Sequence, residues 1–281
     1  MRKTLAFVFA GLLLLAAGCT WSTNAGLAGI GKSTATPRSS AASSAAWASA
    51  GLPLARRGPV PGWAVPYEKK LVVGVVTKRK AVALTIDDVG AEEMKPLVDA
   101  LVANKLHATL FCIGSRMTTE AAAYAAAAPG IELANHSWEH KSIGWYRPLA
   151  ANEQIMRTAR LIKAGSGEWP LWYRSPFQLY QSQGRRAVAD AGMVAAGVSN
   201  DPLDYHGYTG ATLVSRMSRN LKPGQIILMH HYPQTIATFP AIADELRRRD
   251  YEALTLSELA QLGPPATTKW QLEPFARFFG H

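Results

Sequence analysis

The fold is decided by the stretch AVALTIDDVGAEEMKPLVDALVANKLHATLFCIG, residues 81–114. An apolar run, AVALTI, precedes a segment whose apolar residues have helical spacing, and a second apolar run, HATLFCIG, follows it. Short apolar runs on either side of a helix are typical of a strand–helix–strand unit, whose two strands lie parallel in one sheet. The stretch therefore predicts an α/β fold.

Two adjacent aspartates, Asp87 and Asp88, come directly after the first of these strands. Successive side chains of a strand point to opposite faces, so the two carboxylates cannot both be ordinary surface charges beside a core strand. In parallel α/β folds the working residues gather at the carboxyl ends of the strands. The aspartate pair is therefore the first candidate for a functional site.

The same alternation of strand and helix continues along the chain, with further apolar runs in IELAN, LWYRSP, MVAAGVSND and QIILMHH. Repeated units of this kind predict a parallel sheet that is closed or nearly closed into a barrel, although an open doubly wound sheet has the same periodicity. We expect one catalytic domain over residues 65–263. The tail at residues 264–281 gives no readable pattern.

The amino terminus has the features of an export signal. A basic MRK precedes the apolar run TLAFVFAGLLLLAAG, which is too short for a comfortable membrane span. Residues 1–18 are predicted to be a signal peptide, and LLAAG before Cys19 resembles a bacterial lipobox in which Cys19 becomes lipidated. We expect an exported lipoprotein at the cell membrane or cell surface, with plain secretion as the alternative.

The segment at residues 19–64 is rich in Ala, Ser, Thr, Gly and Pro and predicts a flexible tether. Its GLAGIGKS, residues 26–33, fits the phosphate-loop pattern, but no strand precedes it, so we interpret it as a chance match. The net charge of +10 falls to +8 when residues 1–18, with Arg2 and Lys3, are removed; this basic balance suits an anionic cell envelope, and solubility alone is the alternative explanation. The basic residues are scattered, so no nucleic acid is expected as a partner, and no protein partner is predicted. Cys112 is expected to be buried and free.

Polar or titratable side chains stand at the ends of most predicted strands: Asp87, Asp88, Asn135, His136, Arg174, Ser175, Asp201, His230 and His231. The segment HSWEH places His136 and His140 four residues apart, a spacing that puts both imidazoles on one side of a helical turn and suits a metal. Solvated or capping histidines are the alternative. The segment also fits the metalloprotease motif H-x-x-E-H, with Glu139 as the base.

Five short segments, in order, resemble the motifs of the polysaccharide deacetylases, carbohydrate esterase family 4. TIDDVG resembles the family's T-F-D-D-G, HSWEH its H-[ST]-x-x-H, RSPF its R-x-P-[YF], DPLDY its D-x-x-D-W, and LMHH its leucine–x–histidine element. The resemblance implies a distorted (β/α) barrel and one divalent metal, most often zinc, with cobalt or nickel as alternatives. It assigns Asp88, His136 and His140 as the ligands, a set that leaves positions open for water and substrate.

The resemblance also assigns the groups that react. Asp87 is expected to be the base that deprotonates the attacking water, and Arg174 is expected to pair with Asp87 and hold it ionised. The backbone N–H of Phe177 is expected to stabilise the oxyanion. His230 is expected to protonate the leaving amine while Asp204 orients its imidazole, with a helix cap as the alternative role of Asp204.

Leu228 and Tyr205 are expected to line the slot for the acetyl methyl group. The chain departs from the family pattern at several places: Ile86 replaces Phe, Val89 moves the following glycine one place later, Phe177 replaces Tyr, and Tyr205 replaces Trp. None of these changes removes a catalytic atom. They bear on the shape of the site and on substrate preference rather than on the chemistry.

The sequence therefore predicts a metal-dependent hydrolase that removes acetyl groups from N-acetylated polysaccharide. Peptidoglycan is the first candidate polymer, and chitin-like oligomers or O-acetylated xylan are the others. A non-catalytic glycan-binding protein on a deacetylase barrel is one alternative. The H-x-x-E-H metalloprotease is the other, although no glutamate lies between Glu168 and Glu245 to provide its further acidic ligand.

Overall fold

A computed structural model of the protein describes residues 70–141, 148–179 and 182–269. The strands are β1 (Lys70–Val75), β2 (Ala81–Val89), β3 (Ala108–Cys112), β4 (Ile131–Asn135), β5 (Trp172–Tyr173), β6 (Val194–Ala195), β7 (Ile226–His230), β8 (Glu252–Leu254) and β9 (Pro265–Lys269). The helices are α1 (Ala91–Ala103), α2 (Thr119–Ala126), α3 (Pro148–Ser166), α4 (Ser182–Asp190), α5 (Gly210–Ser218), α6 (Pro233–Ile236), α7 (Phe239–Arg248) and α8 (Leu256–Ala260). The alternation predicted from the sequence is therefore present.

The predicted signal peptide, Cys19 and the tether lie outside these described residues. Among the helices of the described ranges, none combines the length and the apolar character that crossing a bilayer requires.

Seven parallel strands form the main sheet, in the order β6-β5-β4-β3-β2-β7, with β8 pairing beside β2. The chain leaving β6 forms a bridge to β1 at Ala196 and a second bridge to β7 at Asn200. The two edges of the curled sheet are therefore drawn toward each other. This architecture is the distorted, partly closed (β/α) barrel that the sequence analysis expected, in a single domain.

Strand β2 lies at the centre of the sheet and is buried almost throughout its length. Parallel strands covered on both faces read as continuous apolar runs, which is the physical reason for the sequence AVALTI. The apolar stripe of α1, with Met94, Leu97 and Leu101 fully buried, packs in the same core cluster as the side chains of β2 and β3. The buried central strand β2 thus carries Asp87 and Asp88 near its carboxyl end.

Strands β1 and β9 form a two-stranded antiparallel ribbon, and single bridges at Val72 and Gly74 join β1 to the segments beside β6 and β7. The second strand of the ribbon, at residues 265–269, lies in the segment for which the sequence analysis found no readable pattern.

 In register, Lys70 pairs with Lys269, and Leu71 with Thr268. This pairing carries the described fold as far as Lys269, beyond the residue 263 at which the predicted domain ended.

Candidate active site

The carboxyl end of β2 is irregular, and this irregularity turns two neighbouring carboxylates toward one cavity. Asp88 has a left-handed backbone conformation, with φ of 66°. The register with β3 shifts between Ile86 and Val89, so the ladder skips the two aspartates. The alternation of faces that holds along a regular strand is broken here, and both Asp87 and Asp88 line the same cavity.

His136 and His140 follow β4 in a loop and not in the helical turn that their spacing predicted. Ser137 and His140 have left-handed φ values of 67° and 55°, which no helix accommodates. Asn135 Oδ1 accepts the Ser137 N–H at 2.9 Å, and the Ser137 carbonyl accepts the Gly114 N–H at 3.0 Å. The prediction of a helical turn was wrong, because these bonds fix a tight loop, but the loop still brings the two imidazole rings to a centroid distance of 5.1 Å.

Asp88, His136 and His140 together fit a divalent metal. Asp88 Oδ1 lies 3.2 Å from His136 Nε2 and 2.8 Å from His140 Nε2. Although it is buried and this close to both rings, Asp88 Oδ1 has no hydrogen bond of acceptable geometry. His136 Nδ1 lies 2.9 Å from the Arg174 carbonyl oxygen, which can only accept, so Nδ1 carries the proton and Nε2 presents its lone pair. Three ligand atoms thus face one point.

The electrostatics of this group favour a cation. Burial alone would raise the pKa of Asp88, but the close approach of the His136 and His140 imidazoles lowers it well below its usual range. For His136 burial acts in the other direction and would lower the pKa. The charges of Asp87 and Asp88 outweigh burial and raise the pKa of His136. Carboxylates therefore dominate the field at this point, which favours a divalent cation there.

Arg174 follows β5 and is completely buried. Its Nη1 donates to Asp87 Oδ1 at 2.7 Å and to Thr85 Oγ1 at 2.9 Å. Its Nε and Nη2 donate to the carbonyls of Ala196 and Gly197, at 3.3 and 3.1 Å. The expected pair with Asp87 is present, and these additional bonds leave the guanidinium a single orientation.

His230 ends β7 beside Asp87, its partner in the parallel ladder. Asp204 is fully buried, and its Oδ1 lies 2.8 Å from His230 Nδ1 while its Oδ2 accepts the His230 N–H at 2.7 Å and the Thr235 hydroxyl at 2.9 Å. Burial lowers the pKa of His230, but the hydrogen bond and charge of Asp204 outweigh burial and raise it. The expected pair is present, and Asp204 holds both the ring and the backbone of His230.

A cavity of about 220 Å³ joins these two pairs to the candidate metal ligands. Phe177, Tyr205 and Leu228, which the sequence analysis placed at the substrate, all line it. Phe177 is 41% exposed, and its ring lies edge-on to that of His140 at 4.8 Å. Tyr205 meets the ring of His230 edge-on at 5.4 Å.

Three further residues line the cavity without having been given a role from the sequence: Gln178, Asp201 and Tyr232. Tyr232 stacks on His230 at 5.4 Å, and its position two residues after His230, on the same face by strand periodicity, was a usable signal. Asp201 accepts the Tyr205 hydroxyl at 3.1 Å, and burial raises the pKa of its carboxyl. Nothing in the sequence points to Gln178, which reaches the cavity through a left-handed φ of 54°.

Glu139, the base of the alternative metalloprotease hypothesis, is held outside this lining. Gln154 Nε2 donates to its Oε2 at 3.2 Å, and Lys141 Nζ lies 3.6 Å from the same oxygen. A base has to reach the water that attacks the substrate, usually within hydrogen-bonding distance. The carboxylate beside the candidate metal ligands is instead that of Asp87, so the geometry does not support the protease.

Comparisons with known proteins agree with this geometry. The family model "Polysaccharide deacetylase" matches residues 74–196. A chitooligosaccharide deacetylase from Bradyrhizobium sp. (strain ANU 289) is 26% identical over 66% of this chain and 93% of its own length. The peptidoglycan-N-acetylmuramic acid deacetylase PdaC of Bacillus subtilis (strain 168) is 29% identical over 66% of this chain, but the match spans only 39% of that longer protein.

Solved structures show the same fold. The structure of peptidoglycan deacetylase PdaC from Bacillus subtilis has a TM-score of 0.58 at 28% identity and covers 67% of this chain and 93% of that chain. A mutant of a CE4 family pseudoenzyme with restored enzymatic activity has a TM-score of 0.60 at 25% identity and covers 66% of this chain and 70% of that chain. Over residues 74–196 the chain therefore matches the polysaccharide deacetylase family, and the relatives and solved structures named here are hydrolases of that type, carbohydrate esterase family 4, or variants of them.

Proposed function

We propose that this protein is a metal-dependent hydrolase that removes acetyl groups from an N-acetylated polysaccharide. One observation carries the proposal: a buried carboxylate oxygen without a hydrogen bond faces two imidazole nitrogens at 2.8 and 3.2 Å in a cavity. That cavity is also lined by the Asp87 carboxylate and the His230 imidazole, each of which has its own charged partner. The arrangement contains a cation site, a base and an acid.

Asp88, His136 and His140 would hold a divalent ion, and zinc suits two imidazoles and one carboxylate. When bound, such an ion polarises a carbonyl and lowers the pKa of water toward about 7. The protein's part is to fix the ligands. His136 is fixed by the hydrogen bond from its Nδ1–H to the Arg174 carbonyl, and His140 by the bond from its backbone N–H to Ser137 Oγ at 3.1 Å.

Asp87 and His230 move the protons. Asp87, oriented by Arg174, takes a proton from the attacking water as the new C–O bond to the acetyl carbon forms. His230 gives its Nε2 proton to the amide nitrogen as the C–N bond breaks, so that acetate and a free amine are the products. Asp204 accepts from Nδ1, which leaves Nε2 as the ring atom that faces the cavity. The backbone N–H of Phe177 is proposed to stabilise the developing oxyanion.

The apolar part of the cavity is matched to an acetyl methyl group. Leu228 and the ring of Tyr205 line it beside His230. The Tyr205 ring is fixed by the bond of its hydroxyl to Asp201. A small apolar pocket of this kind would place the acetyl carbonyl between the base and the acid.

Peptidoglycan is the proposed polymer. A cationic protein with a net charge of +10 is attracted to an anionic cell envelope. The proposed export, and the proposed lipid anchor on Cys19, would hold the enzyme beside that envelope. The named relatives act on chitooligosaccharide and on peptidoglycan, so oligomers of N-acetylglucosamine are the second substrate to test.

The test is acetate release from N-acetylglucosamine oligomers and from peptidoglycan, measured with zinc-loaded protein and again after chelation. We expect release from the loaded protein, loss on chelation and recovery when zinc is added back. Asp88→Asn should abolish release. Asp250→Asn is the matched control, because Asp250 is an exposed carboxylate with a similar left-handed φ of 64° and does not line the cavity.

Two outcomes would count against the proposal. Release that persists in Asp88→Asn would remove the metal site from the reaction. Tight glycan binding without any acetate release would favour the second candidate, a non-catalytic glycan-binding protein. The structural likeness to a CE4 family pseudoenzyme is the reason to test this candidate against the deacetylase.

A further inference from the structure

Exposed aromatic rings are concentrated at the mouth of the cavity. Among the described residues, four large hydrophobic side chains are exposed: Val76, Phe177, Tyr205 and Tyr208. Phe177 and Tyr205 line the cavity itself. Tyr208 is linked to it through His206, whose ring lies 4.8 Å from that of Tyr205 and stacks on that of Tyr208 at 6.4 Å. A row of rings therefore leads outward from the acid, His230.

This row is held rigidly. The turn Asp204–His206 is bounded by left-handed residues, Leu203 with φ of 63° and Gly207 with φ of 81°. The Arg216 guanidinium lies over the Tyr208 ring at 4.3 Å, and its Nε donates to the Pro202 carbonyl at 2.8 Å. Rings fixed in this way lose little conformational entropy when a ligand stacks on them. Exposed apolar groups that are contiguous with a cleft mark a binding surface.

We propose that Tyr205, His206 and Tyr208 form a sugar-binding platform that extends from the active-site cavity. This inference rests on the proposed function and narrows it: the substrate is a glycan chain whose next sugar stacks on Tyr208, and a single N-acetylated sugar is a poor substrate. The apolar C–H face of a pyranose ring packs on an aromatic ring, and its hydroxyls stay in water.

The test compares N-acetylglucosamine oligomers of increasing length. Tyr208→Ala should lower kcat/KM on the tetramer by about tenfold, with little change on the shortest oligomer that is turned over. Tyr208→Phe should behave like the unchanged protein, because the ring is kept. Val76→Ser is the matched control, since Val76 is also an exposed apolar residue, 63% exposed, and is absent from the cavity lining.

Binding of the tetramer, followed by calorimetry, provides a readout that does not need turnover. Weaker binding by Tyr208→Ala, with the same metal content and melting temperature as Val76→Ser, would support the platform. If Tyr208→Ala keeps the wild-type dependence on chain length and the wild-type affinity, the platform is wrong while the proposed deacetylase stands. If the unchanged protein releases acetate from no glycan, the proposed function fails instead.

A second inference comes from the backbone at the end of β2. A left-handed conformation at a non-glycine residue such as Asp88 is strained, and it persists only where the surrounding structure holds it. Arg116 Nη1 donates to the Asp88 carbonyl at 3.2 Å, and His231 Nδ1 lies 3.4 Å from the Asp87 carbonyl. Both aspartate carbonyls are therefore held from outside the cavity.

The two anchoring side chains converge on Glu93 in the first turn of α1. Arg116 Nη2 forms a short ion pair with Glu93 Oε1, and His231 Nε2 lies 3.6 Å from that oxygen. The other oxygen of Glu93 accepts the Gly90 N–H at 3.1 Å. A Cβ on Gly90 would lie 2.9 Å from both Arg116 Cβ and Glu93 Oε2. The glycine of TIDDVG therefore allows Arg116 and Glu93 to pack against the backbone at this position.

We infer that Glu93 and Arg116 are positioning residues that preorganise Asp88 for the metal. The measurement is the zinc affinity of the full chain, by competition with a chromophoric chelator. Arg116→Met and Glu93→Gln should weaken zinc binding by about 10- to 100-fold, the usual effect of losing a group that orients a ligand. Arg79→Met is the control, because Arg79 forms an exposed arginine–glutamate pair with Glu252 beside the opposite end of β2.

Melting temperatures of the zinc-free variants separate positioning from stability. We expect Arg116→Met and Arg79→Met to melt alike while their zinc affinities differ. Equal zinc affinity in all three variants and the unchanged protein would overturn the inference and leave the proposed function intact. Failure of the unchanged protein to bind zinc would overturn both.

Discussion

Replacing Arg174 by methionine removes a buried cation and leaves its carboxylate partner in place. Methionine keeps the length of the arginine side chain as far as Nε and carries no charge, so the variant loses the guanidinium and its hydrogen bonds. Arg174 is 0% exposed and makes bonds to Asp87, Thr85, Ala196 and Gly197, and it lies over the Phe111 ring at 4.2 Å. All four acceptors lose a donor in the variant.

The size of the effect follows from burial. Removing one partner of a buried ion pair costs about 3–5 kcal/mol, because the other charge remains buried and uncompensated. For a domain of roughly 200 residues, each kcal/mol lowers the melting temperature by about 2–4 °C. Arg174→Met should therefore melt about 6–20 °C below the unchanged protein. Acetate release should fall as well, since Asp87 loses the group that orients it.

Thermal unfolding followed by circular dichroism checks this prediction, with two further variants. Arg79→Met removes an exposed pair and should cost less than about 1 kcal/mol. The double variant Arg174→Met, Asp87→Asn should recover part of the lost stability, because no unpaired charge stays in the core. If Arg174→Met loses no more stability than Arg79→Met, the reasoning from buried charge is refuted.

Three other predictions can be tested directly. Asp204→Asn should move the alkaline limb of kcat/KM to lower pH, because Asp204 raises the pKa of His230 and a proton donor loses activity as pH rises through its pKa; a pH–rate profile measures this. Burial raises the pKa of Glu258, but bonds and charge from His107 outweigh it and lower the pKa, so Glu258 stabilises the fold above its unfolded pKa of about 4.3 and this contribution is lost as pH falls. Glu258→Gln should therefore be less stable than the unchanged protein in urea near neutral pH, with the difference shrinking in acid. Burial raises the pKa of Cys112, so its thiol should resist iodoacetamide in the native protein and react only after unfolding, as mass spectrometry of its peptide would show.

Strands and helices around the core could be read from the sequence because burial imposes a period. The continuous apolar run AVALTI predicted a buried strand, and the spacing of Met94, Leu97 and Leu101 predicted a helix. β9 was missed for the opposite reason. Its residues, PATTK, pair with β1 at the margin of the fold, where no strong apolar pattern is required.

The residues of the site could be predicted, but the way in which they converge could not. Alternation along a strand would send Asp87 and Asp88 to opposite faces, and only a left-handed Asp88 turns both toward one cavity. Left-handed conformations at non-glycine residues depend on tertiary contacts, so they cannot be predicted from the local sequence. The same limit explains why a helical turn was expected at His136 and His140.

The partners of the two proton-transfer groups explain why their roles differ. Asp87 and His230 are neighbours in the ladder between β2 and β7, so their positions alone do not decide which is the base and which is the acid. Asp87 is paired with a guanidinium, which has only hydrogen-bond donors, so the carboxylate is the acceptor of this pair. His230 is paired with a buried carboxylate, which favours the protonated ring and makes it a donor. The proposed base and the proposed acid are thus distinguished by the charged group with which each is paired, and exchanging Arg174 for a neutral residue removes the partner of the proposed base.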